Sequence, residues 1–244
     1  MLFGAVVLGA CGRSGFDQVD ASKVGDAIGD AIPGGGSIAR VQRVPVANTP
    51  IECGGNSCQA TFPAPTVAGD LVAVLVTTDG PSPATITSVV DNQGSSQYAL
   101  AISGTIEPSQ FGLAAIYYRA NVPAASQFAV TVTTDGQWID VALVEYSGIG
   151  AAAPTTSKDQ CLNACSAVDV APPTGGMSLA LFTTDNSNVD AMTMAGGWNE
   201  LANEPYANNA IMGAGDLIGG GSIPASWSMV TPQPWVAVAA TFGP

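Results

Sequence analysis

The stretch Leu71-Val72-Ala73-Val74-Leu75-Val76-Thr77-Thr78-Asp79-Gly80 decides the fold class of this chain. Its first six residues are all apolar and rich in valine, which is typical of a β-strand buried on both faces. Asp79-Gly80 then favours a tight turn, so the run ends there. A second stretch, Leu179-Ala180-Leu181-Phe182-Thr183-Thr184-Asp185-Asn186, has the same form. The sequence therefore predicts a central strand that occurs twice.

Short β-rich runs, separated by Gly, Pro, Asn and Asp, continue from residue 38 to the C-terminus. They span residues 38–46, 85–90, 98–103, 113–120, 128–133, 138–146, 178–183, 210–217 and 235–242. Many short strands with turn residues between them are typical of a sandwich or a barrel. Helical periodicity is absent from this part of the sequence, so we expect an all-β fold.

Landmarks recur in the same order in each half of the chain. The first set is Cys53/Cys58, Pro65-Thr66, the strand 71–76, Val122-Pro123-Ala124 and Trp138-Ile139; the second is Cys161/Cys165, Pro173-Thr174, the strand 179–182, Ile223-Pro224-Ala225 and Trp235-Val236. The repeat predicts one jelly-roll-like antiparallel β-sandwich over residues 37–244, built from two similar halves. Two Ig-sized domains of about 100 residues each are the alternative.

Four of the five cysteines belong to the repeated pairs. Close pairs in an exported protein are expected to form disulfides, because the compartment is oxidising. Three connectivities are possible for four cysteines. The local one, Cys53–Cys58 with Cys161–Cys165, is preferred because both pairs occur at equivalent places. A metal site would need converging thiolates or histidines, and the chain has no histidine.

The fifth cysteine follows an apolar N-terminal run and ends the sequence Leu8-Gly9-Ala10-Cys11. This sequence resembles the lipobox of bacterial lipoproteins, in which small residues precede a cysteine that is lipidated before the signal peptide is cleaved. The resemblance implies a signal peptide over residues 1–10 and a lipid anchor on Cys11. Because no Lys or Arg precedes Arg13, we expect the true start to lie upstream. The alternative is a buried N-terminal strand with a core cysteine.

Residues 11–36 are rich in Gly, Ala and Asp and end in Gly34-Gly35-Gly36. Such a segment buries too little apolar surface to fold alone, so we expect a flexible tether that is disordered or partly helical. Gly12 directly after Cys11 is similar to outer-membrane lipoproteins, which lack an aspartate there. The resemblance implies a cell-envelope location at the outer membrane of a Gram-negative bacterium.

The formal net charge of −13 excludes the basic surface that nucleic-acid binding needs. Charged residues are only 10% of the chain, so uncharged polar residues must supply most of the surface, as is typical of exported sandwich proteins. We expect no cofactor. The expected partners are a membrane, through the lipid, and a glycan or an envelope protein; the sequence leaves the oligomeric state open.

The hairpin Thr87-Ser88-Val89-Val90-Asp91-Asn92-Gln93-Gly94 and the segments Ala115-Ile116-Tyr117-Tyr118 and Val144-Glu145-Tyr146-Ser147-Gly148 resemble strands of secreted bacterial β-sandwich modules. The resemblance covers most of the body of the chain. It implies a sandwich fold outside the cytoplasm and brings no catalytic residue to this sequence.

Without histidine, the chain cannot form a Ser-His-Asp or Cys-His catalytic set. A glycosidase that uses two carboxylates is the remaining enzymatic alternative. Glu145 is its best candidate, because period-two counting places it on the same face as Val141 and Leu143 and the repeat aligns it with Phe242. No second carboxylate shows this pattern. We therefore predict a non-catalytic protein.

The stretch most typical of ligand binding starts at Trp198. Aromatic rings stack on sugars, and amides and carboxylates bind hydroxyl groups; the candidate residues are Trp198, Asn199, Glu200, Asn203, Glu204 and Tyr206. The alternative is a polar connection with Trp198 in the core. We predict a surface protein that binds a glycan or another envelope component through the loops of the sandwich. A structural or assembly role and a carbohydrate-active enzyme using Glu145 are the alternatives.

Asp79, Asp135 and Asp185 each follow two threonines at a predicted strand end. Loop carboxylates of this kind can bind calcium. Asp-Gly and Asp-Asn are also ordinary turn residues. The turn interpretation is favoured, and no metal site is predicted.

Overall fold

A computed structural model of the chain describes residues 37–79, 85–94, 98–106, 112–136, 138–173, 175–184, 192–204, 211–221 and 223–244. The strands are β1 (Ala39–Val44), β2 (Ile51–Gly54), β3 (Ser57–Thr61), β4 (Leu71–Asp79), β5 (Ile86–Asp91), β6 (Ala99–Thr105), β7 (Gly112–Arg119), β8 (Ala129–Thr134), β9 (Trp138–Ser147), β10 (Thr155–Val170), β11 (Met177–Thr184), β12 (Met192–Met194), β13 (Asn199–Glu204), β14 (Met212–Ile218) and β15 (Ala225–Phe242). All described residues belong to one compact unit. Within these ranges, no helix is long and apolar enough to cross a membrane.

The first large sheet has the strand order β1-β9-β4-β7-β6, and all its strand pairs are antiparallel. The predicted central strand is β4, which lies between β9 and β7 and is buried from Leu71 to Thr78. Strand β2 also pairs with β9, next to β1, so β1 and β2 form one interrupted edge. The apolar run is therefore buried on both faces, as its sequence predicts.

The second large sheet repeats this arrangement with the order β10-β15-β11-β14-β13. Its central strand is β11, in which every residue from Met177 to Thr184 is buried. The two large sheets pack face to face, because alternate residues of each sheet point into one shared core. This core includes Leu71, Ala73, Leu75, Val144 and Tyr146 from the first sheet and Met177, Leu179, Leu181, Val238 and Phe242 from the second.

The outer face of the first large sheet is covered by a three-stranded sheet with the order β3-β8-β5. Alternate residues of β4 (Val72, Val74 and Val76) pack there against residues of the small sheet such as Val130 and Val132. The small sheet ends at β5 and supplies the second layer of the first half.

The second half covers its own outer face by folding two long strands back. Phe182 pairs with Ala237 of β15, yet its ring centroid lies 4.9 Å from that of Trp227 on the same strand. A straight strand would separate positions 227 and 237 by roughly 33 Å. Strand β15 must therefore fold back between them, at Pro232 and Pro234, where proline interrupts the pairing.

Both halves have the same strand order, and the register of pairing aligns their residues. Leu71 pairs with Tyr146, and Met177, the first residue of the equivalent central strand, pairs with Phe242. Tyr146 is thus equivalent to Phe242, and Glu145 to Thr241. The sequence alignment of Glu145 with Phe242 is wrong by one residue, because the two tryptophans on which it depends, at positions 138 and 235, occupy different places in the pairing.

The all-β sandwich predicted from the sequence is confirmed, and so are both local disulfides. Cys53–Cys58 and Cys161–Cys165 have Cα–Cα distances of 5.4 Å and 6.4 Å. Cys53 lies on β2, beside the large sheet, and Cys58 lies on β3 of the small sheet. Each half therefore has one disulfide at the point where the chain passes from a large sheet to the outer layer.

Candidate functional site

The stretch predicted to bind ligand begins with a buried tryptophan. Trp198 is 8% exposed, and its indole N–H donates to the carbonyl oxygen of Ile223 at 3.2 Å. The ring belongs to the outer core of the second half, together with Trp227 and Met192. Trp198 thus lies in the core, which was the alternative to a ligand-binding role for this residue.

Glu200 and Asn203 of β13 bind the connection between β1 and β2 in the first half. The Asn48 amide donates to Glu200 Oε1 at 2.5 Å, and the Asn203 amide donates to Glu200 Oε2 at 2.8 Å. Arg43 donates to the Glu200 carbonyl oxygen at 2.7 Å and to Asn48 Oδ1 at 2.9 Å. We call these four residues the seam. Both carboxylate oxygens of Glu200 are used within it, to join the two halves.

A second contact between the halves has Asp216 at its centre. Its carboxylate is fully buried and accepts hydrogen bonds from Tyr146 Oη at 2.7 Å, Arg40 Nη1 at 3.0 Å and Asn199 Nδ2 at 2.9 Å. Burial, followed by the charge of Asp216, raises the pKa of the Tyr146 hydroxyl well above its ordinary value. Tyr146 therefore remains a donor, and Asn199, a predicted ligand residue, holds this buried carboxylate.

Glu145 is fully buried, on the same face of β9 as Val141 and Leu143. Its carboxylate accepts from Gln42 Nε2 at 2.5 Å and from the backbone N–H of Val67 at 2.8 Å. The second carboxyl group that the sequence did not identify is Asp70, 7% exposed and within hydrogen-bonding reach of Glu145. Burial, and then the charge of Glu145, raises the pKa of Asp70 to about 6. The two carboxyl groups fasten the loop before β4 to β9.

Asp140 is another buried carboxyl group, on the face of β9 that points into the shared core. Neither of its oxygens has a hydrogen-bond partner of normal geometry among the described residues, although the Thr77 hydroxyl is near enough to oppose part of the rise in its pKa. Burial, followed by the charges of Glu52 and Glu204, raises the pKa of Asp140 well above its ordinary value. Glu204, a predicted ligand residue, is half-buried and contributes to this effect.

The two predicted calcium residues that the structure describes, Asp79 and Asp135, lie at the ends of different strands. The Asp135 carboxylate accepts from the backbone N–H of Thr85 at 2.5 Å, and the Asp135 backbone N–H donates to the Thr85 carbonyl oxygen at 3.1 Å, so Asp135 joins the end of β8 to the start of β5. Asp79 ends β4. In the part of the chain that the structure describes, no three acidic, cysteine or histidine side chains are placed to hold a metal ion. Asp185, Tyr206 and the lipidation candidate Cys11 lie outside the described residues.

A groove of about 300 Å³ lies on the outer face of the first large sheet, beyond the edge of the small sheet. It is lined by Leu113, Ala115 and Tyr117 of β7, Leu100 and Ser103 of β6, and Thr85 and Ile86 beside and on β5. None of these lining residues is charged. Tyr117 is half-buried, and this burial raises the pKa of its hydroxyl. Sequence alternation places Tyr117 on this face but does not show that the covering sheet stops short of it.

Comparison of the chain with protein-family models, with curated proteins and with solved structures found no match in any of the three searches.

Proposed function

We propose that the chain is an extracytoplasmic envelope protein, held at a membrane through lipid on Cys11, that binds a glycan without catalysing a reaction. The observation that carries the proposal is the presence of one disulfide in each half. Structural disulfides persist in oxidising compartments and are rare in the cytosol. The net charge of −13 further favours an uncharged ligand over an anionic one.

The absence of catalysis in this proposal rests on the placement of the Glu145 carboxylate. A glycosidase needs two carboxyl groups about 5–9.5 Å apart on either side of an open cleft. Glu145 and Asp70 are within hydrogen-bonding reach of each other, and both are buried. Glu145 also uses both oxygens to accept from Gln42 and Val67. A pair in this arrangement has a loop-fastening role and leaves no room for a sugar between the carboxyl groups.

The location is tested by expressing the chain in a Gram-negative bacterium and analysing the membrane-extracted protein by mass spectrometry. We expect diacylglycerol on Cys11 and no free thiol at the other four cysteines. The matched variant, Cys11→Ser, should leave the membrane fraction and keep both disulfides. Unmodified Cys11 in a soluble wild-type protein would refute the anchor.

Glycan binding is tested separately, on an array of neutral and acidic glycans probed with the full chain. We expect binding to neutral glycans and none to acidic ones. Wild-type protein that binds no glycan on the array would refute this part of the proposal and leave the location intact.

A structural or assembly role is the second candidate, and exposed valines favour it. Val41, on the edge strand β1, is 44% exposed, and Val46, just beyond that strand, is 72% exposed. Apolar residues beside an open sheet edge can pair with another envelope protein. Crosslinking on intact cells should then yield an adduct that Val46→Lys abolishes, and a chain that crosslinks to nothing would contradict this role.

A further inference from the structure

We propose that the groove around Tyr117 is the subsite for a neutral pyranose ring. The inference rests on the proposed glycan-binding function and gives it a place in the fold and a class of ligand. It also departs from the sequence prediction, because the described polar groups of the stretch from Trp198 to Glu204 are largely occupied in joining the two halves.

The groove combines the two kinds of surface that a sugar ring needs. The half-buried ring of Tyr117 and the side chain of Leu100, which is 50% exposed, offer an apolar surface for the C–H face of a pyranose. Ser103 and Thr85 contribute hydroxyl groups at the same place. Within the described part of the chain, the Tyr117 hydroxyl makes no hydrogen bond, so it can bind a sugar hydroxyl.

The second half shows that the fold does not require this groove. Tyr117 pairs with Val74, and its equivalent, Gly215, pairs with Ala180 at the matching position of the central strand. A Cβ atom at Gly215 would lie 2.2 Å from Met194 Cε, because the methionine fills that space.

The neighbouring equivalents differ in the same way. Gly213 takes the place of Ala115, and a Cβ atom there would lie 2.0 Å from the Phe182 ring. At these two positions the second half is therefore filled by its own side chains, whereas the first half is left open beside Tyr117. The second half folds with this space filled, so the fold does not need the open space beside Tyr117. A ligand is therefore a candidate reason for keeping it open in the first half.

The size and charge of the groove fix the ligand class. A volume of about 300 Å³ lies at the small end of ligand pockets and suits one sugar ring rather than a long chain segment. Since no charged residue lines the described groove, a sialic acid or a phosphorylated sugar would lose solvation without gaining a partner. The subsite is therefore one for a neutral hexose within a glycan.

Saturation-transfer NMR with n-hexyl β-D-glucopyranoside tests the subsite, because this probe carries both a pyranose ring and an alkyl chain. The full chain carrying Cys11→Ser is used, so the result is independent of the lipid anchor. Tyr117→Ala removes the ring, and Ser103→Phe fills the groove from an exposed position, where folding is not at risk. The matched control is Tyr118→Phe, since Tyr118 lies next in β7 and contacts Phe242 on the opposite face.

We expect saturation of the pyranose protons in the wild-type chain and in Tyr118→Phe. Binding should be about tenfold weaker in Tyr117→Ala and absent in Ser103→Phe, as expected for loss of one aromatic contact and for a blocked site. Ring saturation that persists unchanged in both groove variants would overturn the subsite and leave glycan binding intact. Saturation of the hexyl protons alone would overturn the ligand class, and no saturation of the wild-type chain would overturn both the subsite and the proposed glycan binding.

Discussion

The two halves of the molecule make the same contact between the large sheets in two chemical forms. Tyr146 is equivalent to Phe242, and Asp216, which pairs with Leu179, is equivalent to Tyr118, which pairs with Ala73. One contact is the hydrogen bond from Tyr146 to Asp216, and the other is an edge-to-face aromatic pair between Tyr118 and Phe242 at 5.3 Å. The fold accepts either contact, so a buried carboxylate is not required at this place.

Two further equivalences point the same way. Asp140 pairs with Thr77, whereas the equivalent threonine, Thr183, pairs with Val236. Where Glu145 fastens the loop before β4, its equivalent Thr241 donates to the Pro173 carbonyl at 2.9 Å. At these two places the first half has a carboxyl group where the second half has an apolar or a hydroxyl group, whereas at the contact between the sheets the carboxylate, Asp216, belongs to the second half. Strand pairing and burial therefore define the architecture of both halves. The carboxyl groups of the first half make the stability of the protein depend on pH.

The largest effect should come from removing Asp216, a carboxylate of the second half whose equivalent in the first half is Tyr118. Asp216→Leu leaves the Tyr146 hydroxyl and the Arg40 guanidinium without their partner in the interface between the sheets. We expect a loss of about 3–5 kcal/mol in the free energy of unfolding, because breaking a buried pair leaves the other group unsatisfied. Urea unfolding at neutral pH measures this loss.

The control for Asp216 is its equivalent in the other contact. Tyr118→Phe keeps the ring against Phe242 and should change the free energy of unfolding by less than about 0.5 kcal/mol. A loss below about 1 kcal/mol in Asp216→Leu would show that the hydrogen-bonded contact contributes no more than an aromatic one.

The disulfides should give the next largest effect, and an unequal one. Both close short loops, with sequence separations of 5 and 4, so removing either should cost about 2 kcal/mol through the entropy of the unfolded chain. Cys58 is 1% exposed, whereas Cys161 and Cys165 are only partly buried. The double variant Cys53→Ala/Cys58→Ala should therefore lose more stability than Cys161→Ala/Cys165→Ala in urea unfolding. The opposite order would contradict the view that side-chain packing contributes to the stabilising effect of Cys53–Cys58 but not to that of Cys161–Cys165.

Much of the fold could be predicted, because strand burial follows directly from residue type. The run from Leu71 to Val76 is apolar at every position, and a strand covered on both faces is its only compact solution. The folding back of β15 could not be predicted, since only its second arm, residues 235–242, was predicted as a strand and the contact between Phe182 and Trp227 is long-range.

Less of the site could be predicted, because the sequence pattern around a polar residue does not show whether its side chain faces solvent, a ligand or another strand. Glu145 was identified by its period-two position, but Asp70 lies in a loop where no periodicity operates. The amides of Asn199 and Asn203 look the same in sequence whether they face a ligand or join two sheets. The groove beside Tyr117 depends on where a neighbouring sheet ends, which is a property of tertiary packing.

A smaller effect, and one of opposite sign, is expected when Asp140 is given the residue of the other half. Asp140→Val removes a buried carboxyl group that has no hydrogen-bond partner of normal geometry among the described residues. We expect the free energy of unfolding to rise by about 1–2 kcal/mol at neutral pH, because a well-packed apolar residue costs no desolvation. Asp140→Asn, which keeps the shape and the polarity, should gain less. A destabilised Asp140→Val would show that the carboxyl group has a partner that valine cannot replace.

The smallest effect is the pH dependence that the carboxyl pair of the first half adds. The folded-state pKa of Asp70 is about 6, above its ordinary value of 3.8, so the protonated form favours the fold. This contribution is complete below about pH 4 and is lost as the pH rises through 6, and solvent screening at this loop keeps it to about 1 kcal/mol. Gln42 from β1 and Val72 from β4 face Glu145 and are neutral, while the charged pair of Arg119 and Asp91 lies on the far side of β4. Asp70→Asn is neutral at every pH and should remove this contribution in urea unfolding, while the exposed control Asp159→Asn should keep it. An unchanged pH dependence in Asp70→Asn would assign it to Asp140, which acts with the same sign, rather than to the loop before β4.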